Sequence, residues 1–318
     1  MKLVVTVPAY NEEKTIADVV AGIPRQIEGV EVVEVLVIDD GSTDGTVERA
    51  REAGADQILS HKKNEGLGVT FKDGLETALE MGADVIVNID GDGQYNPEQI
   101  PDLINPLLLD KADIVLGWRD IDSLGFMPRG KRIGNKIATW LTNMVSAMPV
   151  RVRDAQSGFR AFSRESALRM NLSGKYTYVQ ETIMEAKYKG LKIEQMPIDF
   201  RPREGESRLI PSLTTYARRA GRTIIGTYWG YHPMKIFSLI GAFLILIGVV
   251  AGAITLFYYV RDGTISGHTP TAIAAAILIV TGLQSIILGL FAEVIKSQRM
   301  FQEEILYRLK RRGHISEK

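Results

Sequence analysis

Through the first two-thirds of the 318-residue chain, short β-branched runs alternate with segments whose apolar residues recur every three or four positions. That alternation predicts strands and helices in turn, hence an α/β fold with a mostly parallel sheet covered by helices on both faces. A first strand is expected over Lys2–Val7. After Pro8-Ala9-Tyr10, a helix is expected with Asn11 as N-cap, Glu12 and Glu13 in its first turn, and Ile16, Val19, Val20 and Ile23 facing inward. The unit repeats with a strand over Val32–Ile38, the loop Asp39-Asp40-Gly41-Ser42-Thr43-Asp44-Gly45 and a helix to Ala53. A short strand at Ile58-Leu59, the loop Asn64–Gly68 and a helix over Val69–Met81 follow. Val85–Ile89 reads as a buried central strand, and Pro97 suits the first turn of a helix reaching Leu109. Ile114–Leu116 is a further strand. Lys131–Ala147 has helical periodicity, with Ile133, Ile137, Trp140, Leu141, Met144 and Val145 as its expected buried face. Phe159–Phe162 is strand-like, Thr182–Lys189 helical, Ile193–Phe200 a strand pair broken by Pro197, and 201–208 a polar loop.

The pattern changes after residue 208. Leu209–Tyr231 sets Arg218, Arg219 and Arg222 among Leu213, Tyr216, Ile224, Ile225, Tyr228 and Trp229. A helix lying at lipid headgroups fits this composition, and so does a surface helix packed on the sheet domain. Ile236–Val260 and Thr271–Ile295 contain one charged residue between them, Glu293. Each is long enough to cross a hydrocarbon core of roughly 30 Å, which needs about 20 apolar residues. Basic residues flank the pair on the outside: Arg218, Arg219, Arg222 and Lys235 before, Lys296, Arg299, Arg308, Lys310, Arg311 and Arg312 after. The connecting turn has Arg261 alone. The positive-inside rule then puts both termini and the sheet domain in the cytoplasm, and the N-terminus lacks the pattern of a signal peptide. The expected organisation is a cytoplasmic domain over 1–208, an interfacial segment over 209–233, two membrane helices within 234–296 (236–260 and 271–295) and a basic cytoplasmic tail over 297–318. Gly248-x-x-x-Gly252 offers a close-approach surface for a second copy of the chain, although glycine is frequent in such spans for other reasons.

Charge narrows the partners. Thirty-eight basic residues balance 38 acidic ones, so no global field favours nucleic acid, and none is expected as a partner. The absence of cysteine removes disulfides, thiolate metal sites and thiol nucleophiles together. The chemistry concentrates where the central strand stops, at Asp90-Gly91-Asp92-Gly93-Gln94. In open α/β sheets ligands bind outside the carboxyl ends of the strands. Two carboxylates one residue apart can share a hard cation with substrate phosphates. An ordinary acidic turn accounts for the same residues; a helix-loop-helix calcium site does not, because its sixth position requires Gly and here is Tyr95. Gly66 and Gly68 do not make a nicotinamide site, since position 71 is Phe and the loop follows the third strand.

Six motifs occur in one order: Val7-Pro8-Ala9-Tyr10-Asn11-Glu12-Glu13; Ile38-Asp39-Asp40-Gly41-Ser42-Thr43-Asp44-Gly45-Thr46; Asn64-x-Gly66-Leu67-Gly68; Asp90-x-Asp92-x-Gln94; Ser157-Gly158-Phe159-Arg160; and Phe200-x-x-Arg203-x-x-Gly205-x-Ser207. Together they resemble the family-2 inverting glycosyltransferases, in the branch of dolichol-phosphate mannose synthases and polyprenyl-phosphate glycosyltransferases, over about the first two-thirds of the chain. The resemblance implies a GT-A fold (Rossmann-like, nucleotide-diphospho-sugar transferase) ahead of the two-helix hairpin. It implies a nucleotide pocket lined by Pro8, Ala9, Tyr10, Glu12, Asp40, Asp90 and Gly91, and Mg2+ or Mn2+ held by Asp90, Asp92 and Gln94. Arg119, one of the pair Arg129 and Arg132, and Arg203, expected on the membrane-facing rim, would bind the acceptor phosphate, with Asp92, Arg119 and Arg203 carrying catalysis. The substrates implied are a nucleotide-diphosphate sugar and a polyprenyl (dolichyl) phosphate in the bilayer, and the reaction is hexosyl transfer with inversion. A phosphate monoester has a second pKa of about 6, so it needs no general base at neutral pH. Asp154 and Glu181 are expected to pair structurally with Arg160 or another arginine, and Lys131 and Arg151 to be solvated surface groups. A lipid hydroxyl or lipid-linked glycan as acceptor, or a non-catalytic nucleotide-sugar sensor, are the alternatives. Trp118 stands where the branch often has a small residue, and Gln156 where Thr is common. The Gln-x-x-Arg-Trp signature of processive synthases is absent. Uracil and guanine donors are equally open.

Overall fold

Uncharged β-branched runs buried on both faces form the middle of a sheet, and the computed structural model places them there. It describes residues 1–146, 151–172, 178–203, 229–230, 232–264 and 266–313. The strands are β1 (Lys2–Ala9), β2 (Val32–Asp39), β3 (Gln57–Ser60), β4 (Val85–Asn88), β5 (Ile114–Trp118), β6 (Arg160–Ser163) and β7 (Ile193–Pro197). Their order in the sheet is β3-β2-β1-β4-β6-β5-β7. β1 runs parallel to β2 and β4, β2 to β3, and β5 to β7. β6 is antiparallel to both neighbours, so the sheet is mixed. That reversal matters for the site: with Asn88 opposite Arg160, the residues just before β6 arrive at the end of β4, where Asp90 stands.

The helices are α1 (Ile16–Gly22), α2 (Thr46–Glu52), α3 (Leu67–Glu80), α4 (Ile100–Leu108), α5 (Arg129–Ser146), α6 (Arg164–Arg169) and α7 (Val179–Tyr188), with a single 3-10 turn over Pro97–Gln99. Because successive strand residues point to opposite faces, β1 feeds two cores. Leu3, Val5 and Val7 pack with Ile16, Val19, Val20, Leu103 and Ile104 on one side. Val4 packs with Leu36, Ile38, Ile86, Phe71, Leu75 and Leu79 on the other.

Three expectations need correction. Asn11 is no N-cap: it adopts φ +55° and its side chain accepts from the Thr43 amide at 2.8 Å, tying the first loop to the second, while α1 begins five residues later. Ile193–Phe200 makes one strand rather than two, followed by an isolated bridge from Phe200 to Tyr95. The largest change is in α5. Ile133, Ile137, Trp140 and Met144, expected inside, are 57%, 52%, 60% and 56% exposed, whereas Asn135, Ala138, Thr139 and Thr142 are buried. Hydrogen bonds hold the inward face: Thr139 Oγ1 accepts from the Ala155 amide at 3.1 Å, and Asn143 exchanges two 2.8 Å bonds with the Val152 backbone.

The chain divides into two compact units, Met1–Ile225 with Leu306–Lys318, and Gly226–Ile305. The second holds α8 (Pro233–Asp262) and, as far as Ile305, α9 (Thr269–Gly313), both long and apolar enough to cross a membrane, which makes this a membrane protein. Small residues set their contact. A Cβ on Gly241 would fall 2.6 Å from the Gly282 carbonyl oxygen, and one on Gly248 would fall 2.8 Å from Ile279 Cγ1. Gly248 is thus already used within the chain. α9 continues through Gly313, so the expected basic tail is helical as far as that residue. Within the first unit, the buried Tyr307 donates its hydroxyl to Glu165 at 2.8 Å and lies under the Arg169 guanidinium, and Lys310 pairs with Glu76 at 3.3 Å. The segment 204–228, which includes most of the expected interfacial stretch as well as Gly205 and Ser207, lies outside the described residues.

Candidate active site

A cleft of about 610 Å³ opens at the carboxyl ends of β1, β2 and β4. Pro8, Ala9, Tyr10, Glu12, Asp40, Asp90, Gly91, Asp92 and Arg203 all line it, together with Asn64, Gly66, Leu67 and Thr70. Local backbone chemistry brings these loops together. The Gly91 amide donates to the Pro8 carbonyl at 3.2 Å, and a Cβ at Gly91 would meet Ile16 Cδ1 at 3.1 Å. Gly41 adopts φ +76°, and a Cβ there would lie 2.6 Å from the Lys63 carbonyl carbon, so glycine lets the Lys63–Gly66 loop close over the end of β2. Asp40 then accepts from the backbone amides of Glu65 at 2.8 Å and Gly66 at 3.0 Å.

At the other end of the cleft the carboxylates are less well served. Burial, reinforced by the charge of Asp92, pushes the Asp90 pKa up to about 7. Asp92 is also raised by burial, against the pull of Arg203. Asp90 Oδ1 is buried and has no hydrogen-bond partner among the described residues. Gly158, the glycine of Ser157-Gly158-Phe159-Arg160, makes room for this carboxylate: a Cβ there would sit 2.8 Å from Asp90 Oδ2. Asn88 fixes the arrangement by donating to the Gly158 carbonyl and to the Tyr178 hydroxyl, each at 2.9 Å. Tyr95, whose pKa burial lifts to about 12, accepts from the Gly158 amide at 2.9 Å. Two crowded carboxylates, one with an orphan oxygen, fit a divalent cation that takes its remaining oxygens from phosphates. No group of three His, Cys, Asp or Glu side chains able to hold a metal occurs among the described residues. Gln94 does not join the pair. Its Nε2 donates to the Arg201 carbonyl at 3.1 Å and its side chain lines a neighbouring cavity, because Gly93, at φ +71°, turns the chain away after Asp92.

The cations also differ from expectation. Arg119 is buried, not on a rim, and is held by Asp154 through Nε–Oδ2 at 2.6 Å and Nη2–Oδ1 at 3.1 Å, with its guanidinium over the Phe200 ring. Burial, the strongest single influence, works against its charge, but Asp154, Tyr95 and Asp90 together keep the guanidinium above its ordinary pKa. Asp154 therefore pairs with an arginine as expected, namely Arg119. Arg160 is surrounded instead by the Ser157 and Val179 carbonyls and the Thr182 hydroxyl, and burial draws its pKa down to about 10. Arg203 pairs with Glu12 and lies 3.5 Å from Asp92. Arg129 is exposed and Arg132 donates to the Leu124 carbonyl at 2.7 Å; neither lines the cleft.

Lys131, expected in solvent, is half-buried. It lines a cavity of about 680 Å³ with Gln94, Phe126, Phe200 and Arg203, and its pKa is lowered by burial and then by Arg119, while Asp92 pulls the other way. The cause is the rotation of α5. Lys131, Asn135, Ala138, Thr139 and Thr142 follow i, i+4, i+7, i+8 and i+11 spacing, so the face that carries Thr139 inward carries Lys131 to this neighbouring cavity, which shares Arg203 with the cleft. A stripe of small and polar residues was the available signal.

Residues 4–169 match the family model described as Glycosyl transferase family 2. The chain belongs to that family. Family-2 relatives share substantial parts of it. The low-salt glycan biosynthesis hexosyltransferase Agl6 of Haloferax volcanii is 31% identical over 92% of this chain and 68% of its own length. The dolichyl-phosphate hexose transferase of the same organism is 33% identical over 66% and 87%. The UDP-N-acetylglucosamine–dolichyl-phosphate N-acetylglucosaminyltransferase of Methanococcus voltae is 33% identical over 60% and 82%. Among solved structures, the glucosyl-3-phosphoglycerate synthase of Mycobacterium tuberculosis, in complex with Mn2+, UDP and phosphoglyceric acid, superposes with a TM-score of 0.57 at 25% identity over 72% of this chain and 77% of that one. The GT-A fold is common to both, and this family-2 protein is a glycosyltransferase.

Proposed function

We propose that this glycosyltransferase moves a hexose, with inversion, from a nucleotide-diphosphate sugar to the phosphate of a polyprenyl (dolichyl) phosphate. The observation that carries the reading is the meeting, at one end of the cleft, of Asp90, whose buried Oδ1 has no partner among the described residues, with Asp92 and Arg203, 3.5 Å apart, while Lys131 and Arg119 add positive charge nearby. A reaction between a diphosphate and a phosphate monoester needs that mixture. The relatives that act on dolichyl phosphate support it.

Asp90 and Asp92 would hold Mg2+ or Mn2+, which supplies charge neutralisation for the departing nucleoside diphosphate. Pro8, Ala9, Tyr10, Glu12 and Asp40 bind the nucleotide. Arg203 and Lys131 present the lipid phosphate, and Arg119, fixed by Asp154, adds positive potential from behind. A phosphate oxygen bonds to the anomeric carbon as the bond from that carbon to the diphosphate breaks, and the electron pair leaves with the nucleoside diphosphate. The acceptor is already dianionic, so no side chain removes a proton.

The exposed stripe of Ile133, Ile137, Trp140 and Met144 is assigned to the headgroup layer of the bilayer. This chain carries two bilayer-crossing helices, and Trp is favoured at that depth. The basic flanks of the two helices support a cytoplasmic catalytic unit. The test is incubation of the purified protein with a polyprenyl phosphate, Mg2+ or Mn2+ and a panel of UDP- and GDP-sugars, followed by lipid extraction and mass measurement. A phosphodiester-linked glycolipid is expected; an ether-linked product, or none with any donor, overturns the reading.

A further inference from the structure

Asp40 does not reach the cleft as a bare carboxylate. Its Oδ1 accepts from the Glu65 amide and, at 2.9 Å, from His61 Nδ1, and its Oδ2 accepts from the Gly66 amide. A carboxylate offers about four lone-pair sites. The chain occupies three. His61 is placed by the sheet: its backbone amide donates to the Asp39 carbonyl at 2.9 Å, one residue past the end of β3. Its Nε2 lies 3.1 Å from Asp73 Oδ2 on α3. Both ring nitrogens thus face carboxylate oxygens, which only accept. Asp73 fixes the ring from behind while Asp40 takes the Nδ1 side. Lys63 and Glu65, on the same loop, are paired with each other at 3.9 Å.

We propose that His61 is a positioning residue that sets the base specificity of the donor site. By filling one acceptor position of Asp40, it leaves a single position open to the cleft. Uracil, with one ring N–H between two carbonyls, fits a single acceptor. Guanine, which offers a ring N–H beside an amino group, pairs with a carboxylate through two acceptors and finds one already taken. The proposal rests on the nucleotide-sugar reading of the cleft and narrows it to uridine nucleotides.

The test is equilibrium binding of UDP and of GDP, each with Mn2+, to the full chain in detergent, for the wild type, His61→Ala, His61→Gln and Asp73→Asn. Wild type should favour UDP by about tenfold or more, the scale of one lost hydrogen bond to a charged group. His61→Ala should weaken UDP about tenfold and bring the UDP-to-GDP ratio towards one, while His61→Gln, whose amide can donate to Asp40, should keep most of the preference. If His61→Ala does not fold, Asp73→Asn carries the decision: it should narrow the ratio severalfold. Equal or tighter binding of GDP by the wild type overturns the proposal, as does an equal loss of both nucleotides in the variants, which a purely structural role produces. Binding of neither nucleotide by the wild type overturns the nucleotide-sugar reading itself.

Discussion

The two ends of the cleft treat a carboxylate in opposite ways. Asp40, at the end of β2, is surrounded by donors from its own chain. Asp90, just past the end of β4, has a buried oxygen with no partner among the described residues, and burial lifts its pKa to about 7. Both sit where parallel strands deliver ligand-facing groups. The difference teaches that satisfaction separates their tasks. On the proposed reading, a carboxylate whose lone pairs are nearly filled serves as a rigid reader of one hydrogen bond, whereas one left short of donors serves a cation.

The largest break in this contrast should come at the unsatisfied end. Asp92→Ala is expected to lower transfer by about a thousandfold, measured as radiolabelled sugar entering the lipid fraction, because charge on the leaving group is no longer offset. Gly158→Ala should follow, with transfer down about a hundredfold, since its methyl would collide with the Asp90 carboxylate. On the acceptor side, Lys131→Ala should raise the KM for polyprenyl phosphate by about tenfold with the donor KM unmoved, while Arg129→Ala changes neither. A larger effect from Arg129 would return the phosphate clamp to the residues expected from sequence.

pH sharpens the contrast more gently. Between the ordinary carboxylate value of 3.8 and about 7, the folded, cation-free chain holds a proton at Asp90 that the unfolded chain has released. Stability from this group is therefore present at low pH and lost as pH rises through about 7. Thermal unfolding with and without Mn2+ should show the cation raising Tm more at pH 8 than at pH 6, and Asp90→Asn should abolish that difference. A cation effect independent of pH would count against Asp90 as a ligand. Smallest of all, Tyr307→Phe, which removes the hydroxyl bonds to Glu165, should cost about 1 kcal/mol of stability without altering the cleft.

Much of this is legible in the sequence. The β-branched runs, the turn glycines and the acids at strand ends marked the sheet and the nucleotide side of the cleft, because strand burial and tight turns depend on local residue types. Asp90 and Asp92 face the cleft as the strand pattern implies, and Pro8, Ala9, Tyr10, Glu12, Asp40 and Gly91, which the family resemblance implies, line it with them. The acceptor side was less legible. Arg119 and Arg203 were visible as arginines, but not that Asp154 and Glu12 hold them, since those partners come from distant segments.

The sequence by itself determined the strand and helix succession, the two bilayer-length apolar helices and the carboxylates at the head of the sheet, each a matter of residue type and spacing. Only the tertiary structure decided which way α5 faces. Hydrophobicity alone turned Trp140 inward and Lys131 outward. Thr139, accepting from the Ala155 amide, and Asn143, exchanging bonds with the Val152 backbone, hold the helix the other way, because a buried backbone group must find a partner and an apolar stripe offers none. The same rotation brings Lys131 to the cavity beside the cleft and leaves the tryptophan exposed.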